Sequence, residues 1–156
     1  MPLTPLPTDH KTFDYSRILD WLYVGTNACC QMHFEKELIE KGVRADISLE
    51  QERLDDPTGV EFFLWLPTTD HTPPSMDQLE MGVQSLKHFY ENAIPCYAHC
   101  KNGHGRAPTL IAAFLMNVKG LTADESIAFL KERRPSIHLD EVQIAALAAY
   151  GKKLNG

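Results

Sequence analysis

The sequence predicts an α/β domain in which helices flank a central, mostly parallel sheet of four to five strands. Short apolar segments with strand character alternate with helical segments over the first two thirds of the chain, and helical patterns dominate the remainder. The 156 residues, 44% of them hydrophobic, suit one folded unit with a single core. We therefore expect residues 1–156 to form a single domain with an extended, proline-punctuated lead-in over 1–14.

The first half of the chain predicts three strands and one helix, with loops after the last two strands. The predicted elements are a strand over 21–25, a helix over 33–41 that ends at Gly42, a half-buried strand over 43–49, a loop over 51–59, a central strand over 60–66 and a loop over 67–74. In such sheets, ligands bind beyond the carboxyl ends of the strands. The loops that follow strands are therefore the places to search for a site.

Capping boxes mark three helix starts in the second half. Each joins a Ser, Thr or Asp at the N-cap to a Gln or Glu three residues later. The pairs are Ser75 with Gln78, Thr122 with Glu125, and Asp140 with Gln143. A strand over 94–98 precedes a helix over 107–118 that is apolar on nearly all sides, so we expect this helix to be buried and to end at Gly120. The last helix is predicted to run to about Lys153.

The charge and hydropathy of the chain disfavour nucleic acid and membranes as partners. A formal net charge of −6 disfavours nucleic acid and anionic membrane surfaces. The longest dense apolar run, 110–116, is too short to span a bilayer, and the N-terminus carries no signal-peptide pattern. We therefore expect a cytoplasmic protein without a membrane anchor.

The 4 cysteines predict free thiols rather than a metal site. Cys29 and Cys30 are adjacent and lack zinc-site spacing, and the scattered histidines form no metal set. Cys96 and Cys100 are expected about 13 Å apart along a strand, which is too far for a disulfide. Cys29, Cys30 and Cys96 are therefore interpreted as small packed residues, with a reversible disulfide to Cys100 as the alternative.

One segment carries chemistry: residues 99–106, His-Cys-Lys-Asn-Gly-His-Gly-Arg. It lies between a predicted strand and a predicted helix, so its loop amides and the first turn of the helix converge on one point and favour an anion there. A cysteine thiolate is a strong nucleophile, and an arginine presents a planar fork that matches two phosphate oxygens. Cys100 and Arg106 therefore suggest cleavage of a phosphate ester through a phosphocysteine.

Such a mechanism needs a proton donor for the leaving oxygen. Asp70 lies in the loop after the strand predicted over 60–66, and Asp77 is the rival in the first turn of a helix, where the helix dipole already accounts for a carboxylate. From spacing alone, Asp70 is as compatible with a simple turn as with a general acid.

Three further polar residues have expected positions near this loop. Adjacent strand residues point to opposite faces, so His99 is expected to support the loop backbone rather than contact the Cys100 sulfur. His104 is expected at the pocket rim. Arg134, next to Arg133 and before Pro135, is expected to be a basic residue at a helix C-terminus, where the dipole favours positive charge.

These residues resemble the cysteine-dependent dual-specificity protein tyrosine phosphatases, whose signature is His-Cys, five residues, Arg. HCKNGHGRAPT at 99–109 carries the match, and segments 18–25, 66–74 and 120–135 extend it. The resemblance implies a phosphotyrosine phosphatase-like fold, with Cys100 as nucleophile, Arg106 as phosphate clamp and Asp70 as general acid. It further implies a phosphate cradle and no metal or cofactor. The cradle amides would come from Lys101, Asn102, Gly103, His104, Gly105 and Arg106.

One position departs from that family. Members of the family usually have Ser or Thr directly after the arginine, and this hydroxyl assists departure of the cysteine thiolate. This chain has Ala107 at that position. The phosphatases of regenerating liver share this Arg-Ala-Pro sequence. We therefore expect slow turnover with an accumulating phosphoenzyme. Thr109 is expected to face its own helix turn instead of replacing the missing hydroxyl.

The resemblance predicts a monomer that hydrolyses phosphotyrosine, and also phosphoserine or phosphothreonine, in phosphorylated proteins or peptides. Three alternatives stay open at this point. One is a substrate-trapping module that binds phosphate and turns over slowly. The second is a phosphatase for a lipid or nucleotide phosphate. The third is sulfur transfer or arsenate reduction, which use similar anion loops.

Overall fold

A single sheet with helices around it organises the chain. The structure is a computed structural model and describes residues 13–27, 36–54 and 56–156. The strands are β1 (Tyr15–Leu19), β2 (Leu22–Gly25), β3 (Ala45–Glu50), β4 (Phe62–Thr68) and β5 (Cys96–His99). The helices are α1 (Lys36–Glu40), α2 (Met76–Glu91), α3 (Arg106–Lys119), α4 (Ala123–Arg133) and α5 (Glu141–Asn155).

The described strands form one five-stranded sheet in the order β1-β2-β5-β3-β4. The pairs β2–β5, β5–β3 and β3–β4 are parallel, and only β1–β2 is antiparallel. The predicted α/β class and mostly parallel sheet are therefore confirmed. The carboxyl ends of β3, β4 and β5 meet at one edge, which brings the loops after these three strands together.

The structure differs from the predicted strands at β1, at β3 and, as described in the next paragraph, at β4. β1 was not predicted, because its segment Tyr-Ser-Arg-Ile-Leu lacks alternation and forms a strand only by pairing with β2. The alternating pattern of β3 predicted a half-buried strand, yet all six of its residues are buried, including Asp46, Ser48 and Glu50. β3 lies between β5 and β4, so its polar residues are buried as well.

β4 is an edge strand and not the predicted central one. Its apolar sequence suggested burial on both faces, but Phe62, Phe63 and Trp65 each remain 37–40% exposed. A continuous apolar run is typical of a central parallel strand. Because β4 is the last strand of this sheet, part of its apolar surface stays exposed to solvent.

The helix boundaries follow the capping signals. Capping boxes are present at the starts of α2, α4 and α5, as predicted. Gly120 ends α3 in the left-handed conformation, with φ 67°. Residues 106–116 of α3 are all buried, and α2, α4 and α5 pack around this helix. α3 is therefore the central helix of the core, and its first turn is held firmly behind the loop that precedes it.

Several predictions concern residues outside the described ranges. These are most of the lead-in, the first part of the helix expected over 33–41, and Cys29 and Cys30. None of the helices in the described part of the chain is both long enough and apolar enough to cross a bilayer.

Candidate active site

The loop 100–105 joins the carboxyl end of β5 to the N-terminus of α3 and forms the floor of a small cavity. The cavity measures about 120 Å³. Its lining comes from this loop, from the loop after β4 and from the start of α5, and consists of Asp70, His71, Cys100, Asn102, His104, Gly105, Arg106, His138, Asp140 and Gln143. Cys100 is only 2% exposed and lies where the amino end of α3 favours an anion.

Two glycines of this loop lie close to neighbouring elements. Gly103 has φ 69°, and a Cβ there would lie 2.7 Å from the backbone carbon of Gly25. At Gly105, a Cβ would lie 3.0 Å from both side-chain polar atoms of Gln143. A larger residue at Gly103 would collide with the backbone of β2, whereas one at Gly105 would require the side chain of Gln143 to shift. The two glycines therefore let the loop turn tightly between neighbouring elements.

Hydrogen bonds from Nη1 and Nη2 hold the guanidinium group of Arg106 in place. It is 2% exposed, its Nη1 donates to Glu52 Oε1 at 2.6 Å and to the Thr68 carbonyl at 2.8 Å, and its Nη2 donates to Glu52 Oε2 at 3.1 Å. Its Nε has no hydrogen-bond partner among the described residues. Since a guanidinium carries five N–H donors in a rigid fork, the Nε edge retains donors for oxygens in the cavity.

Glu52 was not identified from the sequence. It lies in the segment 51–59 after β3, which the sequence suggests only as a charged loop. The hydrogen bond from Arg106 lowers the pKa of the Glu52 carboxyl below its usual value. No local signal identifies this residue, because its partner is 54 positions away.

Asp70 lies in the same cavity as Cys100 and Arg106. Its Oδ1 is 3.5 Å from Nε of Arg106, and its side chain is 45% exposed. The loop that carries it follows the carboxyl end of β4. Asp77, the rival acid, is exposed in the first turn of α2 and is not among the lining residues. Of the two candidates, only Asp70 borders the cavity.

His99 pairs with a carboxylate below the loop. Its Nε2 lies 2.9 Å from Oδ1 of Asp46, and both side chains are almost fully buried. The imidazole ring also stacks on Tyr97, with ring centroids 5.2 Å apart. Asp46 was missed because the polar residue of an alternating strand predicts a solvent-facing position. The pair fixes the ring of the residue next to Cys100.

Arg134 lies at the C-terminal end of α4, as predicted, but its role extends beyond the helix. Its side chain is 2% exposed and contacts the loop 100–105. Its Nε donates to the Gly103 carbonyl at 3.1 Å and its Nη2 donates to the Asn102 carbonyl at 3.2 Å. Ser16 and Asp14 complete its set of acceptors. Arg134 therefore satisfies carbonyls of the loop from behind.

The residues after Arg106 lie inside the helix. Ala107 is fully buried, and its methyl side chain provides no hydroxyl. Thr109 Oγ1 donates to the Gly105 carbonyl at 2.7 Å, which confirms that this hydroxyl faces its own helix turn. His104 is part of the cavity lining, at the rim where it was expected.

The thiols of the described chain are free, and its residues form no candidate metal cluster. Cys96 and Cys100 are both buried and form no disulfide. Burial raises the pKa of the Cys96 thiol well above its usual value. In the described ranges, no group of three or more His, Cys, Asp or Glu side chains is arranged to hold a metal ion.

Several known proteins are similar to this chain in sequence and in structure. Residues 22–153 match the model of the dual specificity phosphatase catalytic domain. Among curated proteins, the chain is 35% identical over 94 residues to human phosphatidylglycerophosphatase and protein-tyrosine phosphatase 1, covering 58% of this chain and 46% of that protein. It is 26% identical over 163 residues to mouse laforin, covering 87% and 48%. The chain thus spans about half the length of the curated relatives it matches first.

Solved structures share the fold over most of their length. The crystal structure of PTPMT1 superposes with a TM-score of 0.78 at 26% identity, covering 91% of this chain and 96% of that one. The crystal structure of human DUSP28 superposes with a TM-score of 0.79 at 21% identity, covering 90% of this chain and 97% of that one.

Proposed function

The chain belongs to the dual specificity phosphatase catalytic domain family, and we propose that it hydrolyses phosphate monoesters through a phosphocysteine formed on Cys100. The observation that carries this proposal is the common cavity of Cys100, Arg106 and Asp70 at the amino end of α3. It joins a nucleophile, a phosphate-binding fork and a proton donor within one site. We further propose that residues 1–156 act as one catalytic domain.

In the first step, the Cys100 thiolate attacks phosphorus. A sulfur–phosphorus bond forms while the bond from phosphorus to the leaving oxygen breaks, and Asp70 gives its proton to that oxygen. The amides of the loop 101–106 and the Nε edge of Arg106 stabilise the charge that spreads over the phosphoryl oxygens. Fixed donors are effective here because they do not have to reorganise during the reaction.

In the second step, water attacks phosphorus and transfers a proton to the Asp70 carboxylate. The sulfur–phosphorus bond breaks, inorganic phosphate is released and the Cys100 thiolate is regenerated. Since Ala107 offers no hydroxyl to assist the departing sulfur, we propose that this step limits turnover. The phosphoenzyme then accumulates when substrate is abundant.

The proposed substrates are phosphotyrosine, phosphoserine and phosphothreonine in proteins or peptides. A lipid phosphate is the second candidate, because one relative is named both as a phosphatidylglycerophosphatase and as a protein-tyrosine phosphatase. Either substrate presents a phosphate monoester to the cavity. The two classes differ in what surrounds the ester, so activity on each has to be measured.

Two further proposals concern the cellular location and the oligomeric state of the protein. The free thiols of Cys96 and Cys100 suit a reducing compartment, and we propose a cytoplasmic location. We also propose that the protein acts as a monomer.

A substrate panel tests the proposed function. Wild type and Cys100→Ser are compared on 4-nitrophenyl phosphate, tyrosine- and serine-phosphorylated peptides, and phosphatidylglycerophosphate in mixed micelles. We expect release of inorganic phosphate from at least one class by wild type and none by Cys100→Ser. Mass spectrometry of acid-quenched wild type should show a phosphoryl adduct on Cys100. Equal phosphate release by both proteins would refute the phosphocysteine.

A further inference from the structure

We propose that His71 and Asp140 form a latch that holds the loop carrying Asp70 over the cavity, so that both act as positioning residues for proton transfer. This inference rests on the proposed function, because it concerns the step in which Asp70 protonates the leaving oxygen. It adds two residues outside the signature loop to that step. They meet across 69 positions of the sequence.

The turn that contains Asp70 is strained at its third residue. The amide of Thr72 donates to the Thr69 carbonyl at 3.1 Å, which closes a four-residue turn with Asp70 and His71 at its centre. His71 has φ 65°, a left-handed conformation that favours glycine or asparagine and disfavours a larger side chain. At a histidine, contacts from the surrounding structure help to hold this conformation.

The side chain of His71 supplies such contacts. Its Nδ1 lies 3.0 Å from Oδ2 of Asp140, at the N-cap of α5, and its Nε2 lies 3.6 Å from Oδ2 of Asp70. The imidazole thus lies between the proposed general acid and the first turn of a long helix.

A second contact joins the same two elements. Gln143 is 1% exposed, and its Nε2 donates to the Thr72 carbonyl at 3.2 Å. Its Oε1 accepts from the backbone amide of Asp140 at 2.8 Å, which orients the amide group of the side chain. Consecutive residues of the turn, His71 and Thr72, are therefore both bound to the first turn of α5.

The latch constrains the position of Asp70. Pro73 and Pro74 restrict the chain on the carboxyl side of the turn, and β4 fixes it on the amino side. The contacts to α5 add to these restraints, and their loss would let the turn move away from the cavity more readily. Proton transfer requires Asp70 within hydrogen-bond distance of the leaving oxygen, so opening of the loop lowers the rate of that step.

Leaving-group dependence gives a readout that a merely structural role would not change. Phenyl phosphate has a poor leaving group that needs protonation, whereas 2,4-dinitrophenyl phosphate departs without it. The variants are Asp140→Asn, which keeps a favourable N-cap residue, and His71→Gly, which removes the imidazole and relieves the strained φ. Glu141→Gln is the matched control, because it removes an exposed carboxylate from the same helix turn.

Both latch variants should lower single-turnover phosphorylation of Cys100 by phenyl phosphate about fourfold, which corresponds to about 0.8 kcal/mol. The rate with 2,4-dinitrophenyl phosphate should change less than about 1.5-fold, and Glu141→Gln should match wild type with both substrates. In an Asp70→Asn background, adding Asp140→Asn should have no further effect, since the latch acts through Asp70.

Equal losses on both substrates, or a full effect of Asp140→Asn in the Asp70→Asn background, would overturn the latch. An unchanged rate on phenyl phosphate would overturn it as well. A wild type that releases phosphate neither from the aryl phosphates nor from any substrate of the panel would instead contradict the proposed function. A circular dichroism melt of each variant identifies losses that come from unfolding.

Discussion

Arg134 donates from Nε to the carbonyl oxygen of Gly103 at 3.1 Å, across 31 positions of the sequence. In an anion-binding loop the amides point inward, so the carbonyls point outward and need donors of their own. Arg134 is the C-cap residue of α4 and is almost fully buried behind the loop. The shape of the loop therefore depends on a residue outside the signature segment.

Replacing Arg134 should impair the loop without touching substrate. Arg134→Lys keeps the charge but cannot reach several acceptors with one planar group, so we expect kcat/KM to fall about tenfold and the protein to lose about 1–3 kcal/mol of unfolding free energy. Steady-state kinetics and urea unfolding measure the two effects. Arg133→Lys, at the adjacent and more exposed position, is the control and should change neither by much. Wild-type kinetics in Arg134→Lys would contradict the support of the loop by Arg134.

Replacing Arg106 should cost more activity than any other arginine substitution tested. Arg106→Lys loses the fork geometry, and we expect kcat/KM to fall about 100- to 1,000-fold, as for removal of a transition-state donor. The same substitution at Arg44 is a matched control, because Arg44 makes a similar two-point pair with Glu61 on the surface. Comparable losses in both variants would argue against Arg106 as the phosphate clamp.

A hydroxyl next to Arg106 should accelerate the second step. In Ala107→Ser we expect a higher steady-state rate and less accumulated phosphoenzyme than in wild type, because the hydroxyl assists departure of the sulfur. Stopped-flow release of 4-nitrophenol gives the burst, and quench-flow gives the adduct. Ala107→Val places a side chain without a hydroxyl there and is the control. If the serine variant gives no gain in steady-state rate, Ala107 is not what limits turnover.

The pair between Glu52 and Arg106 should make stability depend on pH. Because Arg106 lowers the pKa of Glu52 in the folded protein, the unfolded chain binds a proton at Glu52 more readily than the folded one. This stabilisation is therefore complete above the usual glutamate pKa of 4.5 and is lost as pH falls through the lowered folded value. The side chain of Glu52 is 42% exposed, so solvent reduces the size of the effect.

Thermal unfolding of wild type and Glu52→Gln between about pH 3 and pH 7 measures this contribution. The difference in Tm should be largest near neutral pH and should shrink below pH 4.5. Glu61→Gln, whose partner is the exposed Arg44, provides a comparison pair at the surface. A difference between wild type and Glu52→Gln that grows toward acid pH would contradict the assigned pair.

Much of the fold was predictable because its signals are local. A capping box joins residues three positions apart, and Gly120 ends α3 through its own backbone conformation. The segment 99–106 likewise carries its nucleophile, its glycines and its arginine within one loop. Strand position was not predictable: β4 is the more apolar of the two strands, yet it lies at the edge of the sheet and β3 is central.

The sequence by itself determined the class of the domain, its helix boundaries and the loop with Cys100 and Arg106. Only the tertiary structure decided which distant side chains complete the site: Glu52 beside Arg106, Asp46 beside His99, and Arg134 behind Gly103. The reason is physical. A local pattern reports contacts within a few residues, whereas these partners meet only after the strands and helices that carry them have packed around α3.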